Sequence, residues 1–175
     1  MATRARRPHW WRSKWRTCGR NWHEPASQRW HRPRGPLAFA SARLQAIYAW
    51  QLSATSEGAL IAEFAHEQAH EIADLEYFED LVRGVLRHVA QLDQALAGFI
   101  DRKVDEVDPI ERAALRIAAY ELLHRPDVPY RVVINEAIDS TKRFGSEHGH
   151  TYVNGVLDKA ALALRGSESQ AARPR

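Results

Sequence analysis

The chain carries one pattern with the spacing of catalytic chemistry, His66-Glu67-Gln68-Ala69-His70. Two histidines one helical turn apart with a glutamate between them are how a helix offers zinc two imidazoles and a general base. A catalytic zinc also requires a third protein ligand held in a cleft, and the acids that follow, Glu71, Asp74, Glu76 and Glu79, fall in no ligand motif. Five-residue patterns recur by accident, so the expectation is a polar helix face. His148-Gly149-His150 reads as a solvated loop before a helix, and Asp105-Glu106 as a solvated linker rather than an acid and base pair. Cys18 has no histidine and aspartate constellation around it, and no glycine loop of the phosphate-cradling kind occurs. Neither catalysis nor a metal or cofactor is expected.

Two blocks near the end of the chain bear on how helices lock together. Val133-Ile134-Asn135-Glu136-Ala137-Ile138 and Tyr152-Val153-Asn154-Gly155-Val156-Leu157-Asp158-Lys159 each set an asparagine among apolar residues at helical spacing. An amide at the edge of a buried stripe must find a partner or bear its desolvation cost. Both asparagines are therefore expected to bond between neighbouring helices or to cap a turn.

The elements that must position these residues read as helices with short connectors. The first spans about 38–52, with Leu44, Ile47, Tyr48 and Leu52 on one face, and Ser53-Ala54-Thr55-Ser56 ends it. A second covers about 57–73 with Leu60, Ile61, Phe64 and Ala65 inward. The third runs from Glu76 to about Arg102 along Phe78, Leu81, Val82, Val85, Leu86, Val89, Leu92 and Leu96. The fourth has the clearest start: Asp108 as N-cap, Pro109 in the first helical position and Glu111 reaching back to complete a capping box. Its stripe is Ile110, Ala114, Leu115, Ile117, Ala118 and Leu122, and Pro126 stops it. The fifth, from Val128-Pro129 to Gly145, centres on Val132, Val133, Asn135, Glu136 and Ile138; the sixth covers about 151–164. No strand pattern competes, so the fold class is all-α, a compact helical bundle.

Charge is distributed unevenly over the 175 residues. Residues 1–36 hold ten Lys or Arg against one acid, Glu24, while the remainder holds fifteen bases against twenty-one acids. Five of the six tryptophans fall within the first thirty residues, interleaved with Arg, His and Pro and without helical or strand period. Such a leader suits stacking on bases or a membrane interface. It equally suits translation of an upstream frame error or mis-assigned start. The expected division is an irregular leader at 1–36, disordered or artefactual, a helical binding domain at 37–165 and a disordered tail at 166–175. The apolar runs are too short to span a bilayer, and a single cysteine fits a reducing cytoplasmic setting.

Together with Leu115-Arg116-Ile117-Ala118-Ala119-Tyr120-Glu121-Leu122, Leu44-Gln45-Ala46-Ile47-Tyr48-Ala49-Trp50-Gln51-Leu52-Ser53 and Tyr77-Phe78-Glu79-Asp80-Leu81-Val82-Arg83-Gly84-Val85, the two asparagine blocks closely resemble the NusB family of bacterial transcription antitermination factors. The resemblance covers about Leu44 to Leu164. It implies a NusB-like bundle that binds single-stranded boxA RNA together with NusE, a small-subunit ribosomal protein. The complex would join the elongating RNA polymerase with other Nus factors, chiefly on ribosomal RNA operons. The positions matching the family's RNA edge are Arg43, Tyr48, Arg102, Arg131, His148 and Tyr152. Those matching its protein-partner surface are Phe99, Glu111, Arg116, Phe144 and Tyr152. Family members open with an Arg-rich arm, whereas here Arg34-Gly35-Pro36-Leu37-Ala38-Phe39-Ala40-Ser41-Ala42-Arg43 precedes the familiar wording. Two other readings follow from this departure: a protein-interaction module without RNA binding, or a detached accessory domain of a ribosomal RNA methyltransferase. The catalytic domain of such methyltransferases would begin where this chain ends.

Purified protein is expected to carry no stoichiometric zinc, since the His66 to His70 pattern has no evident third ligand. Elemental analysis after gentle purification checks this; one zinc per chain, lost on His66→Ala, would overturn it.

Overall fold

The computed structural model describes residues 36–53, 55–67, 72 and 74–166. Six α-helices follow one another among them: α1 Pro36–Ser53, α2 Glu57–Glu67, α3 Leu75–Ala97, α4 Pro109–His124, α5 Tyr130–Phe144 and α6 Gly149–Leu164, with a short 3₁₀ turn Val104–Glu106 between α3 and α4. No strand occurs among the described residues. The expected leader and tail fall outside them, apart from Pro36 and Gly166.

The helix starts obey local rules. Asp74 accepts the Tyr77 backbone N–H at 2.9 Å to cap α3, and Asp108 accepts that of Ile110 at 2.9 Å to cap α4 ahead of Pro109. The expected capping box is not formed. Glu111 turns away from the Asp108 backbone and accepts the Ser146 hydroxyl at 2.7 Å, because a carboxylate pointed into the bundle must be satisfied there. The third helix also stops earlier than its apolar stripe suggests. Gly98 caps it, the Phe99 N–H closes a tight turn onto Leu96 O at 2.9 Å, and residues to Asp108 form a connector.

α4 lies at the centre, packed against α1, α3, α5 and α6. Every residue from Ile110 to Leu122 except Arg112 is buried. The stripe proposed for it was thus correct but too narrow, since a helix surrounded on all sides buries more than one face. Phe64 of α2 and Phe78 of α3 are fully buried with ring centroids 6.2 Å apart, each contributing about 1.5–3 kcal/mol by burial. Gly84 of α3 lets α4 approach closely: a Cβ there would lie 2.0 Å from Cζ of Tyr120. On the outside, Leu52 and Val132, expected inward, face solvent, while α5 buries Val133, Ile134, Ala137, Ser140 and Thr141 instead.

The asparagines do not lock the helices. Asn135 is exposed, and Asn154 donates to Asp158 at 3.1 Å, one turn along its own helix. Buried ions do that work. Arg43 of α1, 2% exposed, donates to Glu121 of α4 at 2.5 Å and to Glu136 of α5, and Tyr77 of α3 donates to the same Glu121 oxygen at 2.7 Å. Burial, and then the Glu121 charge, push the Tyr77 phenol above its usual range; burial also raises the Glu136 carboxyl, against the pull of Arg43. Four helices meet at this knot. A second cation, Arg165, donates to the carbonyl oxygens of Glu121, Leu122, Arg125 and Val128 at 2.5–2.8 Å, tying the C-terminus of α4 to the turn that follows it.

Glu121→Ala, which removes the buried carboxylate that Arg43 and Tyr77 share, is expected to lower unfolding free energy by about 3–5 kcal/mol. The double variant Arg43→Met/Glu121→Leu should lose less than that single substitution, because it removes both buried charges. Denaturant titration of the three proteins checks the order, and a double variant at least as unstable as Glu121→Ala would contradict it.

Candidate nucleic-acid and partner interface

One end of the bundle gathers several of the residues singled out by sequence. The connector after α3 delivers Phe99, Asp101 and Arg102; the first turn of α4 delivers Glu111; the end of α5 delivers Phe144, and the N-cap and first turn of α6 deliver His148 and Tyr152. Arg102 and Asp101, both exposed, form a two-point pair, Nε to Oδ1 at 2.8 Å and Nη2 to Oδ2 at 3.0 Å. The Arg102 guanidinium carbon stands 5.2 Å from the centre of the Tyr152 ring, and the Tyr152 hydroxyl donates to Asp101 at 3.3 Å. Cation, phenol and carboxylate therefore share one point. The Arg102 hydrogen bonds are the main reason the Asp101 carboxyl is lowered to about 2, whereas burial and then the Asp101 charge raise the Tyr152 phenol.

Glu111 organises the other half of this end. It is 8% exposed, and its Oε1 receives Ser146 Oγ in the turn before α6. A Cβ on Gly149 would lie 2.2 Å from that same oxygen and 2.9 Å from Ser146 Oγ. Glycine at the start of α6 thus makes the room in which the carboxylate sits. His148, exposed, occupies the N-cap position of α6 without a side-chain cap bond. Phe144 is half-buried, with the Arg143 guanidinium 5.1 Å from its ring centre, and Phe99, also half-buried, lies just past the Gly98 cap of α3.

Other sequence-predicted residues lie elsewhere or inside. Arg43 belongs to the buried knot, and Tyr48 is 2% exposed on the core face of α1. Arg116 is 6% exposed and paired with Asp93 of α3 at 2.8 and 2.7 Å, with a further bond to Gln51 of α1 at 2.8 Å. Gln51 in turn donates to the Pro109 carbonyl at 2.8 Å, so this network fixes the start of α4 against α1 and α3. Arg131 is exposed in the first turn of α5, its Nε bonded to the Tyr130 hydroxyl at 3.1 Å. Thirteen residue steps apart on one helix, Arg131 and Phe144 are about 20 Å apart along α5. The structure does not bring Arg131 to the Arg102 end.

Sequence reasoning missed Asp101, Ser146 and Gly149, which shape this end, and Asp93 and Gln51 beneath it. Only Gly149 gave a signal, a glycine at a helix start. The zinc-like pattern is divided: His66 is exposed on α2, and residues 68–70 lie outside the described residues. Among the described residues no group of three or more potential ligands is placed to hold a metal ion, and no helix is long and apolar enough to cross a membrane.

Residues 41–162 match the NusB family model. The chain is 69% identical over 128 residues to the transcription antitermination protein NusB of Xanthomonas axonopodis pv. citri (strain 306), covering 73% of this chain and 80% of that protein. It is 68% identical over 125 residues to that of Xylella fastidiosa (strain 9a5c), covering 71% and 80%. Among solved structures, NusB in a crystal structure of antitermination factors NusB and NusE with dsRNA superposes with TM-score 0.66 at 25% identity, over 73% of this chain and 96% of that one. NusB of T. maritima gives TM-score 0.65 at 25% identity, over 79% and 98%.

Gly149→Ala is expected to destabilise by about 1–3 kcal/mol by overpacking against Glu111. In a Glu111→Ala background the same change should cost clearly less, since the obstructing carboxylate is gone. Thermal or denaturant unfolding of the four-member cycle measures the coupling, and additive losses would rule it out.

Proposed function

The chain belongs to the NusB family, and from that premise we propose that it acts as a transcription antitermination factor, binding boxA RNA together with NusE and joining the elongating RNA polymerase, chiefly on ribosomal RNA operons. The observation that carries the RNA half is the convergence of the Arg102 guanidinium and the Tyr152 ring at one exposed end of the bundle. A planar cation suits phosphate oxygens and an adjacent aromatic ring suits an unpaired base, the combination by which single-stranded RNA is held. The Arg131 and Tyr130 pair adds a second cationic point along α5.

The partner half falls on Phe99, Phe144 and Tyr152, half-buried rings of the kind that anchor protein interfaces. Glu111 and Arg116 are buried and engaged within the bundle. Their contribution to partner binding is to hold the α5–α6 turn and the start of α4 in register, rather than to present free charges. Arg43 and Tyr48 act on RNA in the same indirect sense, by fixing α1. His148, exposed beside Tyr152, adds no negative charge where RNA would pass. We assign these activities to residues 37–165, place the protein in the cytoplasm and assign it no catalytic step, cofactor or membrane partner.

Arg102→Ala should weaken binding of a labelled single-stranded boxA RNA and reduce the dependence of log K on log salt by about 0.7. Phe144→Ala should leave that binding intact and cost about 1 kcal/mol or more in NusE affinity. Anisotropy titrations against the single strand, an annealed duplex of the same sequence, and NusE separate the activities. Binding of NusE unaffected by Arg102→Ala, with RNA binding lost, supports two surfaces; equal loss of both activities in folded variants overturns them. Absence of RNA binding with NusE binding retained would leave the protein-interaction module as the function.

A further inference from the structure

Asp101 occupies the position in which an RNA phosphate would be expected at Arg102. Its two oxygens receive Nε and Nη2 of Arg102 at 2.8 and 3.0 Å, the same parallel two-point geometry in which a guanidinium grips two phosphate oxygens. The Tyr152 hydroxyl donates to the same carboxylate, and the Arg102 guanidinium lies 5.2 Å from the Tyr152 ring centre. Arg102 and Tyr152, on which the RNA reading of this end relies, thus converge on one internal anion.

The pair has little other work to do. Its side chains are 64% and 48% exposed, and the two residues are adjacent on a connector, so their bond joins no distant elements. Exposed ion pairs of this kind contribute little to stability. Glu111, the nearest further acid acting on Arg102 and Tyr152, is tied to Ser146 and buried, which leaves Asp101 as the mobile competitor.

Resting on the RNA-binding reading of this end, we propose that Asp101 is an intramolecular stand-in for phosphate: it holds Arg102 and Tyr152 in their binding arrangement in the free protein and must be displaced for RNA to engage them. Two consequences follow. Displaced but still ionised, Asp101 remains close to the incoming phosphate and repels it, so it lowers affinity and favours only RNA held by further contacts. The Asp101 and Arg102 pair is also neutral as a unit, so a phosphate docking there releases fewer counterions than one meeting an unpaired arginine.

The test uses the full chain and fluorescence anisotropy with a labelled single-stranded boxA RNA, for wild type, Asp101→Asn, Arg102→Ala and the double variant, across a series of salt concentrations. Asp101→Asn is expected to tighten binding about three- to tenfold and to steepen the slope of log K against log salt by about 0.7. In the Arg102→Ala background the same substitution should have no more than a marginal effect. Circular dichroism melts of the four proteins should coincide, since both side chains are exposed. If Arg102→Ala weakens RNA binding but Asp101→Asn changes neither affinity nor slope, the stand-in role is overturned while the RNA reading stands. Tightening that persists undiminished without Arg102 also overturns it, since Asp101 would then act only as a diffuse negative charge. If Arg102→Ala itself has no effect, the RNA reading of this end fails and the proposal fails with it.

Discussion

A helix enclosed on all sides cannot keep charged side chains unless each neighbour supplies a partner, and α4 carries three: Glu111, Arg116 and Glu121. Glu121 is met by Arg43 from α1 and Tyr77 from α3, with Glu136 of α5 completing the knot through Arg43. Arg116 is met by Asp93 of α3 and Gln51 of α1, and Glu111 by Ser146 between α5 and α6. A stranded buried charge costs about 3–5 kcal/mol, against roughly 0.8 kcal/mol for each methylene left unburied by imperfect packing. Apolar stripes bring the helices together, but the ionic matches decide their register. Sliding α1 or α3 by one turn would strand a charge on α4.

This constraint explains what could and could not be read from the amino-acid sequence. Helix starts written in adjacent residues were legible: Asp108 and Pro109 begin α4 as local chemistry dictates. Six helices were also legible, because their apolar spacing is local. The capping role of Glu111 was not, since its real partner lies thirty-five positions away. Asn135 and Asn154 attracted notice as polar groups on apolar stripes, yet one is exposed and the other bonds within α6, while the charged residues of α4 bear the burial. Periodicity places a residue on a face of its own helix. It does not say whether a second layer covers that face, which is why Leu52 and Val132 were expected inward and Arg116 outward.

The two ends of the bundle differ in how their charges are used. At the C-terminal end of α4, Arg165 caps four carbonyls, and Arg125 pairs with Asp80 and Asp127 while standing 4.3 Å from the Tyr77 ring centre. Those cations are tied to several partners at once and serve the fold. At the opposite end, where the connector meets the α5–α6 turn, the partners of Arg102 among the described residues are its sequence neighbour and an adjacent ring. A cation with one exposed partner can exchange it for an external anion at small cost, whereas one bonded to four internal acceptors cannot. The resemblance to a family supplied Arg102 and Tyr152 as candidates, but Asp101 left no sequence signal, because an acid beside an arginine on a polar connector reads as ordinary solvated linker.

Such selective use of cations matters because the body of the protein is acidic: residues 37–175 hold six more acids than bases. Arg43, Arg83, Arg87, Arg102, Arg112, Arg116, Arg125 and Arg165 are each bonded to carboxylates or carbonyls. The long-range field of the bundle therefore does not attract RNA, and general counterion release is a weak source of affinity for it. What the bundle retains is a small number of cations beside tyrosine rings, Arg102 with Tyr152 and Arg131 with Tyr130, which in the proposed function recognise RNA rather than attract it. A surface of that kind binds best when a partner supplies additional contacts, since each one recovers part of the cost of opening an internal ion pair. On the RNA reading proposed for this end, the acidity of the body and the pairing of its arginines make binding jointly with a second protein stronger than binding alone.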